Sequence, residues 1–125
     1  MGYSGAILKN KEGKILFQLR DKNGRNPNKW GIFGGGIKKN ESPEQALMRE
    51  LREELSINLT KSDILKKHTL PLFDYHIFEV KLRRIPPRSH LKEGKAMKLM
   101  TKEEFLKTKN ALWRVKAFLR LFRID

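Results

Sequence analysis

Glu50, Glu53 and Glu54 stand at positions i, i+3 and i+4 of one short stretch, and Gly34-Gly35-Gly36 precedes them. On a helix the three carboxylates fall within an arc of about 100°. Like charges so placed repel, at roughly a few tenths of a kcal/mol per pair in an isolated helix. They also sit toward the helix C-terminus, where the helix dipole disfavours anions. A solvated face eased by Arg49 and Arg52 is one way to live with this. A hard divalent cation is the other, because Mg²⁺ takes oxygen ligands and shares its shell between carboxylates and substrate phosphates. The glycine run favours the second reading, since glycine lets backbone carbonyls and amides approach a ligand closely.

The element that must carry these carboxylates has a marked start. Ser42-Pro43-Glu44-Gln45 is a capping box with proline at the first helical position, and it predicts a helix from Pro43 to about Leu55. Leu47, Leu51 and Leu55 form the adjoining apolar stripe, so the carboxylates lie at the edge of the core face. Upstream, the apolar-rich runs 3–8 and 14–20 are joined by Asn10-Lys11-Glu12-Gly13 and read as a hairpin. Residues 21–29 read as a polar loop, and Trp30 to Phe33 as a short strand running into the glycines. Residues 64–70, 75–82 and 96–100 are further strands, with a basic loop over 83–94 around Pro86-Pro87. Thr101-Lys102-Glu103-Glu104 repeats the capping pattern. Leu112, Val115, Phe118, Leu119 and Phe122 then recur at helical spacing, which predicts one last helix. Strands and helices intermingle, as in α/β layers.

The chain has 125 residues, enough for one core and one domain spanning 1–125. It contains no cysteine, which excludes a disulfide framework and thiolate metal sites and fits a reducing compartment. No apolar run approaches the roughly 18 residues of a membrane span, and the start lacks signal-peptide order. The expectation is a soluble, cytoplasmic protein without membrane contact. The formal net charge is +14. Residues 41–54 carry five acids against two arginines, whereas residues 81–125 carry fourteen Lys and Arg against four acids, so one acidic island sits in a basic field. Such a field attracts polyanions, nucleotides and nucleic acid among them.

The stretch from Gly35 to Ile57 resembles the signature of the Nudix hydrolases: Gly, five residues, Glu, seven residues, Arg-Glu-apolar-x-Glu-Glu-x-Gly-apolar. The matching positions are Gly35, Glu41, Arg49, Glu50, Leu51, Glu53, Glu54 and Ile57, with Ser56 in place of the glycine. That glycine follows the helix end, where a left-handed backbone is common, so serine there is expected to cost stability and not activity. The resemblance implies an α/β/α sandwich with a mixed sheet between helices. It implies a hydrolase that cleaves a pyrophosphate bond in a nucleoside diphosphate linked to another group. A nucleoside triphosphate giving monophosphate and pyrophosphate, as in MutT-like members, is the leading case. Nucleotide sugars, ADP-ribose, dinucleoside polyphosphates and RNA 5′ ends are the rivals, and a weakly catalytic nucleic-acid-binding module is the other class of reading.

By the same resemblance Glu50, Glu53 and Glu54, with the Gly35 carbonyl, bind one to three Mg²⁺ or Mn²⁺ ions, and Glu53 or Glu50 orients the attacking water. Arg49 holds a motif carboxylate and Glu41 braces the loop. Glu93 joins the metal site or assists the base. For substrate, Arg20 meets phosphate or base. Asn110 either reads a purine edge, as in MutT-like members, or caps the last helix. Nucleic acid is a possible but less favoured partner than a nucleotide, because the basic loop lacks interleaved aromatic rings. Sequence fixes no oligomeric state.

Overall fold

A computed structural model describes residues 2–21, 27–87, 90–91 and 96–124. In chain order the elements are β1 (Tyr3–Lys9), β2 (Ile15–Leu19), β3 (Trp30–Gly31), β4 (Phe33–Gly36), α1 (Pro43–Leu55), β5 (Ile64–Leu70), β6 (Tyr75–Lys81), β7 (Ala96–Met100), α2 (Lys102–Lys107) and α3 (Trp113–Leu121). The strands form one mixed sheet. β1 runs parallel to β6 and antiparallel to β4, β2 pairs antiparallel with β7 and β3, and β5 pairs antiparallel with β6.

Alternation along β1 sends its side chains to two cores. Ala6 and Leu8 pack with Leu47, Leu51 and Leu55 of α1. Ile7, with Phe17 and Ile77, packs under Phe105 of α2 and Val115, Phe118 and Leu119 of α3. The result is the α/β/α sandwich expected, with α1 on one face and the last two helices on the other.

Three details depart from the sequence reading. The first two strands share a turn but not a ladder: they meet only at Lys9 and Ile15. From there β1 turns to β4 and β6, and β2 to β7, because the Tyr3 end of β1 is already filled by the glycine strand. The glycines are not a free loop: Gly34, Gly35 and Gly36 are the end of β4, paired with Gly5, Ser4 and Tyr3. The last helix is two. It breaks after Lys107, where Trp30 donates to the Asn110 carbonyl and Leu112 donates to the Trp30 carbonyl. An isolated parallel bridge between Trp30 and Ala111 captured these residues and overrode their helical period.

Candidate active site

The capping box of α1 forms as its sequence predicts. Gln45 N–H donates to Ser42 Oγ at 3.1 Å, and Ser42 N–H donates to Gln45 Oε1 at 2.8 Å. Ser4 Oγ donates to the Pro43 carbonyl at 2.8 Å and pins the start of the helix to β1. At the other end Ser56 is left-handed, φ 56° and ψ 32°, and its N–H and that of Ile57 return to the Arg52 and Leu51 carbonyls. With both ends fixed, α1 lays its second half along the glycine strand.

Arg49 organises that junction. Its Nε donates to Glu41 Oε2 at 2.7 Å and its Nη2 to Glu41 Oε1 at 2.9 Å, a bidentate pair. Nη2 also donates to the Gly36 carbonyl at 2.9 Å. Nη1 donates to Glu50 at 2.9 Å and reaches Glu53 at 3.4 Å. One guanidinium thus ties the glycine strand, the turn before α1 and two carboxylates of α1 together. The Arg49 hydrogen bonds, followed by the Lys38 N–H, lower the Glu41 pKa to about 2. Glu41, chiefly, raises that of Arg49.

The three glutamates divide into different roles. Glu50 lies directly against Gly35: a Cβ built there would run into its carboxyl group, 2.6 Å from the carboxyl carbon. Glu53 is more than half exposed. Glu54 is only 2% exposed and turns inward, accepting from Gly34 N–H at 3.2 Å, with the Gln18 amide at 3.5 Å. Gln18, itself buried, also donates to the Ile32 carbonyl. It went unremarked in the sequence, although a lone amide inside the apolar run of β2 was a usable signal.

Among the described residues, no three acidic or histidine side chains are gathered around one point. The donor set still fits a hard cation. Glu50 and Glu53 offer carboxylate oxygens beside the Gly35 backbone, and Mg²⁺ accepts a shell completed by water and phosphate. Glu54 stands one turn from Glu50 and braces the glycine strand. Glu93 lies outside the described residues.

A cleft of about 170 Å³ opens on the α3 side of the sheet, with Tyr3, Tyr75 and Phe118 as aromatic walls and Arg20 and Arg114 as cations. Tyr3 joins it to the carboxylates. Its hydroxyl lies 2.9 Å from where a Gly34 Cβ would be, so the glycine makes room for the phenol. Burial first, and then Glu54, raises the phenol's pKa. Nothing in the sequence singled out Tyr3. Arg20 lines this cleft. Asn110 does not: its Nδ2 donates to the Asn28 carbonyl at 3.0 Å, and the residue at the N-cap of α3 is Leu112.

A sandwich with a glycine strand and a glutamate helix clasped by one arginine defines a family, and comparison agrees. The family model described as NUDIX domain matches residues 3–122, and the chain belongs to that family. Nucleoside triphosphatase NudI of Salmonella newport is 40% identical over 58 residues, covering 46% of this chain and 41% of that protein. The chain therefore matches about two fifths of the length of the curated relatives. The MutT protein from Methanosarcina mazei shares the fold with a TM-score of 0.73 at 22% identity, over 97% of this chain and 91% of that one. An Ap4A hydrolase of C. elegans does so at 0.70 and 18% identity, over 97% and 95%. None of the described helices is long and apolar enough to cross a membrane.

Proposed function

We propose that the chain is a cytoplasmic, metal-dependent pyrophosphohydrolase that converts a nucleoside triphosphate to its monophosphate and pyrophosphate. The observation that carries this reading is the Arg49 clasp, which holds Glu50 against Gly35 beside the exposed Glu53. Glu50, Glu53 and the Gly35 carbonyl would hold Mg²⁺ or Mn²⁺. When bound, the cation polarises phosphoryl oxygens and acidifies water. Glu53 is the carboxylate open to solvent and is assigned to orient the attacking water and accept its proton. Arg49 keeps Glu50 aimed at the Gly35 backbone. The nucleoside enters the cleft lined by Tyr3, Tyr75 and Phe118, where Arg20 meets its base or its phosphate. The similarity to a nucleoside triphosphatase supports this choice of substrate over the other nucleoside diphosphate derivatives.

The test is a screen of nucleoside triphosphates, nucleotide sugars, ADP-ribose and dinucleoside polyphosphates, with products resolved by phosphorus NMR. Hydrolysis of a triphosphate to monophosphate and pyrophosphate, lost in chelator, is the expected outcome. Glu53→Gln should lower kcat by at least about a hundredfold with an unchanged melting temperature. Undiminished turnover in chelator would remove the metal from the mechanism.

A further inference from the structure

Helix α1 ends at a second cleft, of about 280 Å³. Leu8, Leu55, Leu82 and Pro86 give it an apolar lining, and Lys81, Arg83, Arg84 and His90 give it a basic one. It is separate from the glycine strand. Gly35 pairs with Ser4 near the start of β1, whereas Leu82 N–H donates to the Lys9 carbonyl at its end. Five residue steps of strand separate these anchor points, roughly 17 Å. A phosphate at Gly35 is out of reach of these cations.

One of the cations is held in place. Arg83 is 64% exposed, yet its Nε and Nη2 donate to Asp63 Oδ1 at 3.2 and 2.8 Å, and the Asp63 side chain is only 8% exposed. Asp63 is fixed in turn by Thr60, whose N–H and hydroxyl donate to Oδ2 at 3.0 and 3.1 Å. A buried carboxylate thus orients an exposed guanidinium at the cleft. Among the described residues lining it, Asp63 is the one acid. Lys81 and Arg84 are exposed and form no ion pair among the described residues. The C-terminal end of α1 opposes an anion here through its dipole. Ser56 and Ile57 answer the Arg52 and Leu51 carbonyls, and the charges of Lys81, Arg83 and Arg84 against that of Asp63 leave the cleft positive.

Apolar walls with a basic lining suit a phosphate carried on a body that can be desolvated. Bare inorganic phosphate would leave the walls unused. The basic surface continues past Leu82 and Arg83 into an adjoining groove beside Lys9 and Lys11. We propose that this cleft is a second binding site, for a nucleoside 5′-phosphate, either free or at the end of a nucleic-acid strand.

The experiment is an NMR titration of the whole chain in chelator, which leaves the carboxylate site without metal. The probes are adenosine 5′-monophosphate and a short oligonucleotide with and without its 5′-phosphate. Both phosphorylated probes should shift the amides of Ile57, Asn58 and Leu82. The double substitution Lys81→Ala and Arg84→Ala, on exposed side chains, should weaken binding about tenfold or more. Glu50→Gln should leave it unchanged. Tighter binding of the phosphorylated oligonucleotide assigns the strand end, and equal or tighter binding of the monophosphate assigns the free nucleotide. Shifts confined to Tyr3 and Gly35, equal binding of the 5′-hydroxyl oligonucleotide, or an unaffected double variant would each overturn the proposal.

Discussion

At the residue scale, Arg49 does what no lysine can. It makes a bidentate pair with Glu41 while also bonding Glu50 and the Gly36 carbonyl. An ammonium group has the charge but not the planar fork. Arg49→Lys should therefore lower kcat/KM about ten- to a hundredfold while retaining helix content, the size of loss typical when a group supporting the ligands is removed. Kinetics alongside circular dichroism would separate this from unfolding, and wild-type turnover in the lysine variant would reduce Arg49 to a point charge. Ser56 acts on stability alone. It holds a left-handed backbone with φ 56°, a conformation that strains a residue bearing Cβ, and its side chain is exposed. Ser56→Gly should raise stability by a few tenths to about 1 kcal/mol, with glycine's larger unfolded-state entropy cancelling part of the gain. A lower melting temperature for the variant would show that this strain is not limiting.

At the element scale, the helix that carries the carboxylates was legible because its signals are local. Ser42-Pro43 starts it, three leucines orient it, and Pro43–Leu55 is what forms. β5 and β7 were legible for the same reason, each a short run between breakers. What could not be read was partnership. Nothing local in residues 3–8 says that β1 leaves β2 for the glycine strand. Nor does anything in the period of Leu112 to Phe122 say that Trp30 will interrupt the chain before them. The inward turn of Glu54 is likewise tertiary, set by Gly34 and Gln18, both distant in sequence. The glycines give a test at this scale. A Cβ on Gly35 meets the Glu50 carboxyl, whereas a Cβ on Gly36 would stand 3.8 Å from the Gly2 carbonyl oxygen, an ordinary van der Waals contact. Gly35→Ala should lower kcat about a hundredfold by displacing Glu50, because small misplacements of reacting groups cost that much. Gly36→Ala should have a much smaller effect. Comparable losses in both would mean that strand flexibility, and not the Glu50 contact, is what the glycines provide.

At the scale of the whole molecule, the chain holds a large positive charge together with a few strategically paired acids. Among the described residues, four carboxylates titrate below their ordinary range. Glu41 does so through Arg49, Asp63 through the Thr60 N–H, and Glu104 through the Thr101 N–H. For Glu79, burial pushes upward and is outweighed by His68 and Lys9. In each the folded state binds its proton less readily than the unfolded chain does, so acid favours unfolding. The stability these groups contribute is present above the usual carboxylate range and is lost as pH falls. For Glu41 that window runs from 4.5 down to about 2. Protonating acids also raises a net charge that begins at +14, and the added self-repulsion has the same sign. The melting temperature should therefore fall steadily below about pH 4.5. Added salt should recover only part of the loss, because it screens the long-range repulsion better than hydrogen-bonded pairs at contact. Asp63→Asn should lower the melting temperature at neutral pH and flatten the acid limb, since the pair with Arg83 is then already gone. Thermal melts from neutral pH down to about pH 2, at low and high salt, decide the matter. Full recovery of the acid loss by salt would assign it to net charge alone, and an acid limb unchanged in Asp63→Asn would remove that pair from the account.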